Sequence, residues 1–174
     1  MSTEDGPWLD EAQLEAWMGL VVLLETLPAS IDGQLKRDSG VNLFEYTILA
    51  MLSEESDHRL AMTDLAEVAF GSLSRLSHAV TRLESRGWVE RHASSAGRRR
   101  NEVTLTEAGL DTVRAAAPLH AAHVRSLLVE PLTDDELRTA ATVFEKLIRA
   151  ADPALGDRIT MLIPDVIERN RRSG

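Results

Sequence analysis

Six hydrophilic side chains recur within residues 74–85 at spacings that bring them to one side of a helix. They provide hydroxyl, imidazole and guanidinium groups, and no carboxylate lies at the centre of their face. Such groups bind phosphate oxygens and the hydrogen-bonding edges of bases. We therefore expect this face to contact a nucleic acid. Its members are Ser74, Arg75, His78, Thr81, Arg82 and Ser85.

The opposite side of the same segment is apolar, which predicts a helix over residues 73–86. Its apolar side chains recur at three- and four-residue steps, as they do on the buried side of an amphipathic helix. Ser72 precedes the segment as a predicted N-cap, and Gly87 follows it as a predicted left-handed end. The predicted buried stripe consists of Leu73, Leu76, Val80 and Leu83.

A short helix over residues 63–69 is predicted before this segment, and a hairpin after it. The hairpin combines two β-like runs, 88–92 and 101–105, with a loop of three consecutive arginines, which predicts a wing over residues 88–105. Two helices joined by a short turn and followed by a hairpin have the layout of a winged helix-turn-helix. A solvated amphipathic helix beside an ordinary hairpin is the alternative, and the basic residues of both parts favour contact with DNA.

The charge of the chain is distributed unevenly, although its net value of −9 argues against a nucleic-acid partner at first sight. Residues 71–101 contain seven arginines and two glutamates, so this segment carries +5 and the remaining residues carry −14. A basic patch on an acidic body attracts phosphates to one place and repels them elsewhere. The charge pattern therefore supports the predicted interface.

Helices are predicted on both sides of the basic segment. The first begins after a capping-box pattern at Asp10 and Gln13 and is long and broadly apolar, with a kink or short break near Pro28. Because this helix is too long to be covered by a small domain, a partner subunit is its natural cover. Capping boxes at Asn42 and Thr133 start two further helices, and Thr106 caps another one between them.

The predicted fold is mainly α-helical with a small β-hairpin wing. Residues 41–106 are assigned to a winged helix-turn-helix domain that binds DNA. Residues 1–40 and 107–152 are assigned to a helical dimerisation region built from the N- and C-terminal helices. Residues 153–174 are assigned to an extra C-terminal helical segment.

Several classes of function have no supporting residues in this sequence. There are no cysteines, which excludes disulfides and thiolate metal sites. No nucleophile elbow, phosphate-binding loop or metal-ligand set is present, so we predict neither an enzyme nor a cofactor. His120 and His123 lie three residues apart without further ligands, and we interpret them as ordinary pocket or surface histidines. No apolar run approaches ~18 residues and the N-terminus is acidic, so we expect a cytoplasmic protein outside the membrane.

Two sequence blocks flank the arginine-rich loop, Leu83-Glu-Ser-Arg-Gly-Trp-Val-Glu-Arg91 and Leu105-Thr-Glu-Ala-Gly109. Either block alone is a weak signal, whereas both blocks with an arginine-bearing wing between them are quite specific. Together with the order of the predicted elements, they resemble the MarR (multiple-antibiotic-resistance regulator) family. The resemblance extends over roughly residues 10–150, by pattern rather than by alignment.

The resemblance implies a homodimer that binds a pseudo-palindromic operator in double-stranded DNA and acts as a transcriptional repressor. It also implies a small-molecule effector of unknown identity, often an aromatic or phenolic anion, bound between the dimerisation and DNA-binding parts. Family members usually have an aspartate two residues before the wing-tip arginine, where Gly97 stands here. A module with this fold that senses a small molecule or binds a protein, without specific DNA binding, is the alternative.

The candidate DNA contacts divide by the part of DNA that each suits. Arg75 and His78 are predicted to reach base edges, since an arginine can pair with both acceptors of a guanine. Hydroxyl groups and Arg82 suit phosphates, while the wing arginines suit the minor groove and its rim. Arg86 and Arg91 are expected to have structural roles. The candidate set is Ser72, Ser74, Arg75, Ser77, His78, Thr81, Arg82, Arg98, Arg99 and Arg100.

Overall fold

The structure is a computed structural model and describes residues 8–93 and 101–160, together with residues 163 and 168. The chain divides into two compact units, Met1–His123 and Val124–Gly174. Helices account for most of both units, and a small sheet lies in the first. This confirms the predicted combination of a mainly α-helical fold with a small β-sheet.

Helix α1 (Glu11–Ser39) starts with the predicted capping box, formed by Asp10 and Gln13. It ends at Gly40, whose φ of 69° is the left-handed conformation that glycine adopts without strain. Pro28 lies inside α1 and does not interrupt it. The short break that the sequence suggested is therefore absent, because a proline removes only one backbone donor and the turns on either side continue the helix.

Much of the surface of α1 is apolar and exposed. Among the described residues it is the one helix long and apolar enough to cross a membrane by length and composition, with a mean hydropathy of 1.4 over 18 residues. None of that window is buried within the chain. The prediction that no unbroken apolar run approaches this length holds for α1, because polar residues interrupt the helix although they hardly lower its average hydropathy. The exposed large apolar residues of α1 are Leu14, Trp17, Met18, Val22, Leu23 and Leu24.

Helix α2 (Leu43–Glu54) starts with the predicted capping box between Asn42 and Glu45. The shorter helix α3 (Met62–Val68) follows it and leads into a turn at residues 69–72. Apolar side chains from both helices enter one continuous core with those of the sheet and of the neighbouring helices. The fully buried members from α2 and α3 are Ile48, Leu49, Leu52 and Leu65.

Helix α4 (Leu73–Ser85) is the helix predicted over residues 73–86, whose outward face is expected to contact a nucleic acid; we call it the recognition helix. Ser72 caps it as predicted, since its hydroxyl oxygen accepts a hydrogen bond from the backbone N–H of Arg75 at 3.2 Å. Gly87, two residues beyond its end, has the predicted left-handed conformation with φ 72°. Leu73 departs from the predicted buried stripe and is 52% exposed, because it occupies the first position of the helix at the edge of the core. The buried residues are Leu76, Ala79, Val80 and Leu83.

Three short strands, β1 (Arg59–Ala61), β2 (Val89–Ala93) and β3 (Asn101–Leu105), form an antiparallel sheet in the order β1–β3–β2. Val89 lies opposite Leu105 across the β2–β3 pair, and both side chains are buried. The two predicted wing strands are thus confirmed to within one residue. Through these side chains the sheet packs into the same core as α4.

Helix α5 (Glu107–Val124) follows the sheet. Thr106 caps it as predicted, because its hydroxyl oxygen accepts a hydrogen bond from the backbone N–H of Gly109 at 3.1 Å. The same hydroxyl donates to the carbonyl oxygen of Gly87 at 2.7 Å, which joins the start of α5 to the end of the recognition helix. Pro118 lies inside α5 and leaves it continuous.

The second unit contains a π-helical turn (Arg125–Val129), helix α6 (Asp134–Ala151) and further helical residues over 153–160. The predicted capping box of Thr133 and Glu136 starts α6. The segment after α6 is therefore helical where the structure describes it, as the sequence predicted.

Candidate nucleic-acid interface

The outward side of α4 is exposed to solvent. Ser74, His78 and Ser85 lie on this side as predicted, and none of them is buried. The Ser85 hydroxyl donates to the carbonyl oxygen of Arg82 at 2.7 Å, as a serine near a helix end often does. Hydroxyl and imidazole groups in this position are accessible to a ligand that approaches the helix from solvent.

Arg75 lies on the flank of α4 that faces α2. Its guanidinium carbon is 4.0 Å from the centre of the Phe44 ring, which is a cation–π contact. The Phe44 side chain is 8% exposed. Gly71 makes room for it, since a Cβ at Gly71 would lie 2.6 Å from Cζ of the ring. The candidate base-reading arginine is therefore held against a ring that is itself fixed in the core.

Arg82 lies two turns further along the same flank. Its Nε donates to Oε1 of Glu45 at 2.6 Å. The Glu45 side chain is 4% exposed and that of Arg82 is 51% exposed. The other carboxylate oxygen of Glu45 accepts the backbone N–H of Asn42 at 3.2 Å. The predicted phosphate ligand is thus anchored at its Nε while half of its side-chain surface stays open to solvent.

Ser77 and Thr81 lie on the opposite flank, toward the sheet. Nη2 of Arg91, on β2, donates to the Ser77 carbonyl oxygen at 2.7 Å and to the Thr81 hydroxyl at 2.6 Å. Nε of Arg91 lies 3.6 Å from a carboxylate oxygen of Glu84. These contacts confirm the structural role expected for Arg91. They also show that the Thr81 hydroxyl, a predicted phosphate ligand, accepts a hydrogen bond inside the protein.

Arg86 has a structural role as well. Its Nη1 donates to the carbonyl oxygen of Gly40 at 2.7 Å, and its guanidinium carbon lies 4.9 Å from the centre of the Trp88 ring. The end of α4 is thereby tied to the end of α1. The predicted wing contacts lie outside the described residues, and so does the position of the expected aspartate; these are Arg98, Arg99, Arg100 and Gly97.

A crevice of about 730 Å³ opens between α1, α2 and α4. Its lining combines the rings of Phe44 and Phe70 with the basic side chains of Lys36 and Arg75 and with His78. Phe70, in the turn before α4, has a φ of 53°, which is an uncommon conformation for a bulky residue. The crevice therefore adjoins two of the predicted base-reading side chains and offers both apolar and cationic contacts.

Asp32 joins α1 to α2 at this crevice. Its carboxylate accepts the backbone N–H of Leu43 at 2.7 Å and pairs with Nζ of Lys36 at 2.7 Å. The hydrogen bond from Leu43, followed by the one from Lys36, holds the pKa of Asp32 below its usual value of 3.8. The ionised carboxylate stabilises the N-terminal end of α2, where backbone N–H groups are unpaired within the helix.

His120 and His123 on α5 contact different helices. The His120 ring lies 4.7 Å from the ring of Tyr46 between centroids, and Nε2 of His123 lies 3.1 Å from Oγ of Ser30. Burial lowers the pKa of His120, and the nearby His123 lowers it further. Burial also raises the pKa of Tyr46, with a contribution from Glu54. Within the described part of the chain, no group of three or more such side chains could hold a metal ion.

Phe44 and Glu45 are the residues of this surface that sequence reasoning missed. Neither residue was expected at this surface, although Glu45 belongs to the capping box predicted at Asn42. Both contact arginines more than thirty residues away in the chain. No helical or strand spacing connects positions so far apart, so the signal for these contacts exists only in the folded structure.

Comparison with known proteins identifies the family to which this chain is similar. A model of the MarR family matches residues 39–100, from the end of α1 to the residue before β3. The crystal structure of Sco3205, a MarR family transcriptional regulator from Streptomyces coelicolor in complex with DNA, matches with a TM-score of 0.80. The two sequences are 33% identical, and the match covers 86% of this chain and 94% of Sco3205. The chain belongs to the MarR family.

Two Escherichia coli proteins are more distant relatives of this MarR-family chain. The HTH-type transcriptional regulator PapX is 25% identical over 109 residues, which are 63% of this chain and 66% of PapX. The transcriptional repressor MprA of strain K12 is 27% identical over 85 residues, which are 49% of this chain and 48% of MprA. The matched region thus spans less than two thirds of each relative. Membership of the MarR family confirms the resemblance and the winged helix-turn-helix fold predicted from the sequence.

Proposed function

We propose that this protein is a homodimeric, sequence-specific DNA-binding transcriptional regulator that acts as a repressor. The observation that carries the proposal is the exposed outer face of α4, which has no carboxylate at its centre and lies in the segment matched by the MarR family model. Sco3205, the relative at 33% identity, was crystallised in complex with DNA, and MprA is named as a repressor. A partner of this kind also implies a cytoplasmic protein.

In the proposed complex each subunit inserts α4 into a major groove. Arg75 and His78 then meet base edges, while Ser74 and Arg82 meet phosphates. The wing arginines lie along the adjacent minor groove, whose negative potential attracts cationic side chains. In a dimer the two recognition helices read half-sites about one DNA turn apart, ~34 Å, so the operator is a pseudo-palindrome.

Dimerisation is supported by the exposed apolar surface of α1. Six large apolar side chains on this helix are 41% to 60% exposed in the single chain. Several large apolar side chains exposed on one helix are typical of an interaction site. In the second unit, α6 likewise exposes Val143, Phe144 and Leu147. A second copy that covers the apolar face of α1 removes it from water and fixes the separation of the two recognition helices.

The crevice beside α4 supports an effector site. Its volume of about 730 Å³ lies within the range of ~300–1,000 Å³ that small-molecule sites occupy. Arg75 and His78 favour an anion, whereas the charge of Lys36 is paired with Asp32, and the two phenylalanine rings favour an aromatic body. An effector that contacts Arg75 in this crevice shifts the protein away from DNA by its difference in affinity for the two states.

The proposed function is tested by selecting double-stranded DNA from a random pool with the purified protein and measuring affinity for the selected sequence. The double variant Arg75→Ala with His78→Ala is expected to lose specific binding, down to its affinity for random DNA. Changing Arg98, Arg99 and Arg100 to alanine is expected to reduce the salt dependence instead. Arg114→Ala on α5 is the matched control, because its side chain is 64% exposed and lies outside the proposed interface.

Failure to select any sequence, or unchanged affinity in both sets of variants, contradicts the assignment. A small-molecule sensor without specific DNA binding is the second candidate, and the crevice is the observation that favours it. A mobility-shift assay at low salt separates the two. Binding of an aromatic anion by a protein that leaves DNA unshifted supports the sensor.

A further inference from the structure

Two arginines of α4 contact consecutive residues in the first turn of α2. Arg75 contacts Phe44, and Arg82 contacts Glu45. Positions 75 and 82 are two helical turns apart, so both side chains lie on the same flank of the recognition helix. The first turn of α2, residues 42–45, therefore acts as a common support for two side chains that are predicted to contact DNA.

The contact with Glu45 fixes the Nε of the Arg82 guanidinium and leaves the terminal amino groups available to bind a ligand. An arginine carries five N–H donors in a planar fork, and the Nε–H is one of them. In Arg82 the Nε donates to a carboxylate at 2.6 Å, and the side chain remains 51% exposed. The guanidinium plane is thereby oriented, and its terminal amino groups can bind a phosphate bidentately.

Glu45 is suited to this role because both of its carboxylate oxygens are engaged and its side chain is buried. One oxygen accepts from Arg82 and the other from the backbone N–H of Asn42 at 3.2 Å. A buried carboxylate without a partner is costly, so the pairing with Arg82 is held in place by the fold. The carboxylate therefore positions the Arg82 guanidinium at this surface.

The contact with Phe44 restricts Arg75 in a different way. A ring face attracts a guanidinium without using the N–H groups in the plane of the cation. The contact with Phe44 therefore leaves all five donors of Arg75 available. The ring cannot retreat, because it is buried and lies against Gly71. Stacking on a fixed ring aligns the donor fork and lowers the conformational entropy that Arg75 loses on binding a base.

The support is itself tied to α1. Asp32 accepts the backbone N–H of Leu43, the residue between Asn42 and Phe44, at 2.7 Å. The first turn of α2 is thus held from both sides, by a side chain of α1 and by its own capping box. Because these contacts are all made within the chain itself, they orient the two arginines along this flank of α4.

We propose that Phe44 and Glu45 are positioning residues for DNA recognition, with Phe44 directing Arg75 to a base edge and Glu45 directing Arg82 to a phosphate. The inference rests on the proposed DNA-binding function and divides it into two measurable parts. Base reading gives discrimination between sequences, whereas phosphate contact gives salt dependence. The two positioning residues are therefore expected to affect different observables.

The role of Glu45 is tested by the slope of log affinity against log salt concentration on the selected DNA. Glu45→Gln keeps a capping-box residue and removes the charge. It is expected to weaken binding several-fold and to reduce the slope by about 1, the amount expected for one lost phosphate contact. The double variant Glu45→Gln with Arg82→Gln is expected to show the same slope as the single variant, since Arg82 acts only when it is held. Arg114→Gln serves as the control for loss of a surface charge.

Arg82→Lys is a second variant that tests the same role if Glu45→Gln folds poorly. A lysine keeps the charge and can pair with Glu45, but its single ammonium group cannot hold the carboxylate and chelate a phosphate together. The slope is expected to fall by about 1 despite the unchanged net charge. An unchanged slope in Arg82→Lys, or in folded Glu45→Gln, overturns the role of Glu45.

The role of Phe44 is tested by affinity ratios between the selected DNA and single-base variants of it. Phe44→Leu keeps an apolar core residue and removes the ring. It is expected to lower discrimination at the base pair that Arg75 reads by roughly tenfold, with an unchanged salt slope. Ile48→Val, a mild change at a buried position on the same helix, is expected to leave the ratios unchanged.

Retained discrimination in Phe44→Leu overturns the role of that ring. These failures are distinguishable from failure of the proposed function. If only a positioning role fails, the wild-type protein still selects a sequence, and Arg75→Ala weakens binding to that sequence. If the proposed function fails, the wild-type protein selects no sequence. Circular dichroism melting of each variant identifies any effect that arises from unfolding alone.

Discussion

Helices α1 and α4 both present a long exposed surface in the single chain, and the two surfaces differ in chemistry. The exposed face of α4 carries hydroxyl, imidazole and guanidinium groups, which water solvates well. The exposed face of α1 carries Trp17, Leu24 and other large apolar side chains, whose contact with water is unfavourable. A polar face can stay open and bind a charged ligand reversibly, whereas an apolar face needs a stable cover. The comparison supports the proposal that α4 binds DNA and that α1 binds a second subunit.

The largest effect is expected from a charge placed on the apolar face. Leu24 is 60% exposed in the single chain, and we expect a partner subunit to bury it. Leu24→Glu would then bury a carboxylate without a partner, which costs several kcal/mol and weakens the dimer by at least about 100-fold. Analytical ultracentrifugation over a range of protein concentrations measures this change.

Glu25→Gln is the control on the same helix, since it changes charge without adding a charge to the apolar face. His78→Glu completes the comparison, because it should abolish specific DNA binding and leave the dimer intact. A wild-type chain that sediments as a monomer, or a dimer that tolerates Leu24→Glu, would contradict the assignment of α1.

The next effect concerns the two sides of α4 itself. Leu76 is fully buried, whereas Leu73 is 52% exposed. Leu76→Ala is expected to lower the free energy of unfolding by about 2–5 kcal/mol through loss of packing and creation of a cavity. Leu73→Ala is expected to cost less than about 1 kcal/mol, since a half-exposed side chain leaves no enclosed cavity. Urea unfolding of both variants checks the difference, and equal losses would show that Leu73 is part of the core.

Substitutions at two glycines are expected to change stability by smaller amounts and in opposite directions. A Cβ at Gly71 would lie 2.6 Å from the Phe44 ring, whereas a Cβ at Gly19 would meet no atom within 4 Å in the single chain. Gly71→Ala is expected to destabilise the protein by about 1–3 kcal/mol through overpacking. Gly19→Ala lies inside α1 and is expected to stabilise it by up to about 1 kcal/mol, because alanine favours the helix.

Thermal unfolding of the two glycine variants measures both changes. A destabilised Gly19→Ala protein would mean that the backbone of another subunit approaches α1 at this position. Such a result would contradict the expected sign of the stability change, and it would place Gly19 within the subunit interface predicted for α1.

The smallest effect concerns pH at the contact between α5 and α2. Burial lowers the pKa of His120 below its usual value of 6.5. The unfolded chain therefore binds more protons than the folded one once the pH falls through about 6.5, and stability is lost until the pKa of the folded state is passed. His120→Gln is expected to reduce this loss between about pH 7.5 and about pH 5.5.

The pH effect is measured as the shift of the urea unfolding midpoint between the two pH values. His78→Gln, on the exposed face of α4, is the matched control and should leave the shift close to that of the wild-type protein. A shift that is equal in His120→Gln and in the wild-type protein would rule out His120 as its source.

Local features of this protein were predictable because their causes are local. The capping boxes at Asp10, Asn42 and Thr133 bind backbone groups only three residues away, so a short sequence pattern is sufficient to identify them. The two wing strands were located to within one residue for the same reason. Leu73 was misjudged because periodicity identifies the side of a helix but not how far the core extends along it.

The roles of individual arginines were harder to predict, since they depend on partners that are distant in the chain. Arg75, Arg82 and Arg91 all occur in the same basic segment, and residue type alone suggests the same phosphate contact for each. In the structure Arg75 stacks on a phenylalanine ring and Arg82 pairs with a buried carboxylate. Arg91 donates a hydrogen bond to the neighbouring helix α4. Which donors remain for DNA therefore depends on the surroundings of each side chain.

The sequence by itself determined that this chain forms a polar, basic helix with a hairpin after it, because helical periodicity, caps and charge are properties of adjacent residues. The tertiary structure decided which flank of that helix is already occupied. Hydrogen bonds and ring contacts require atoms within a few ångströms, and only folding brings Phe44 and Glu45 to Arg75 and Arg82. The exposed face of α4 is thus predictable from the sequence, whereas the orientation of its arginines depends on contacts with α2.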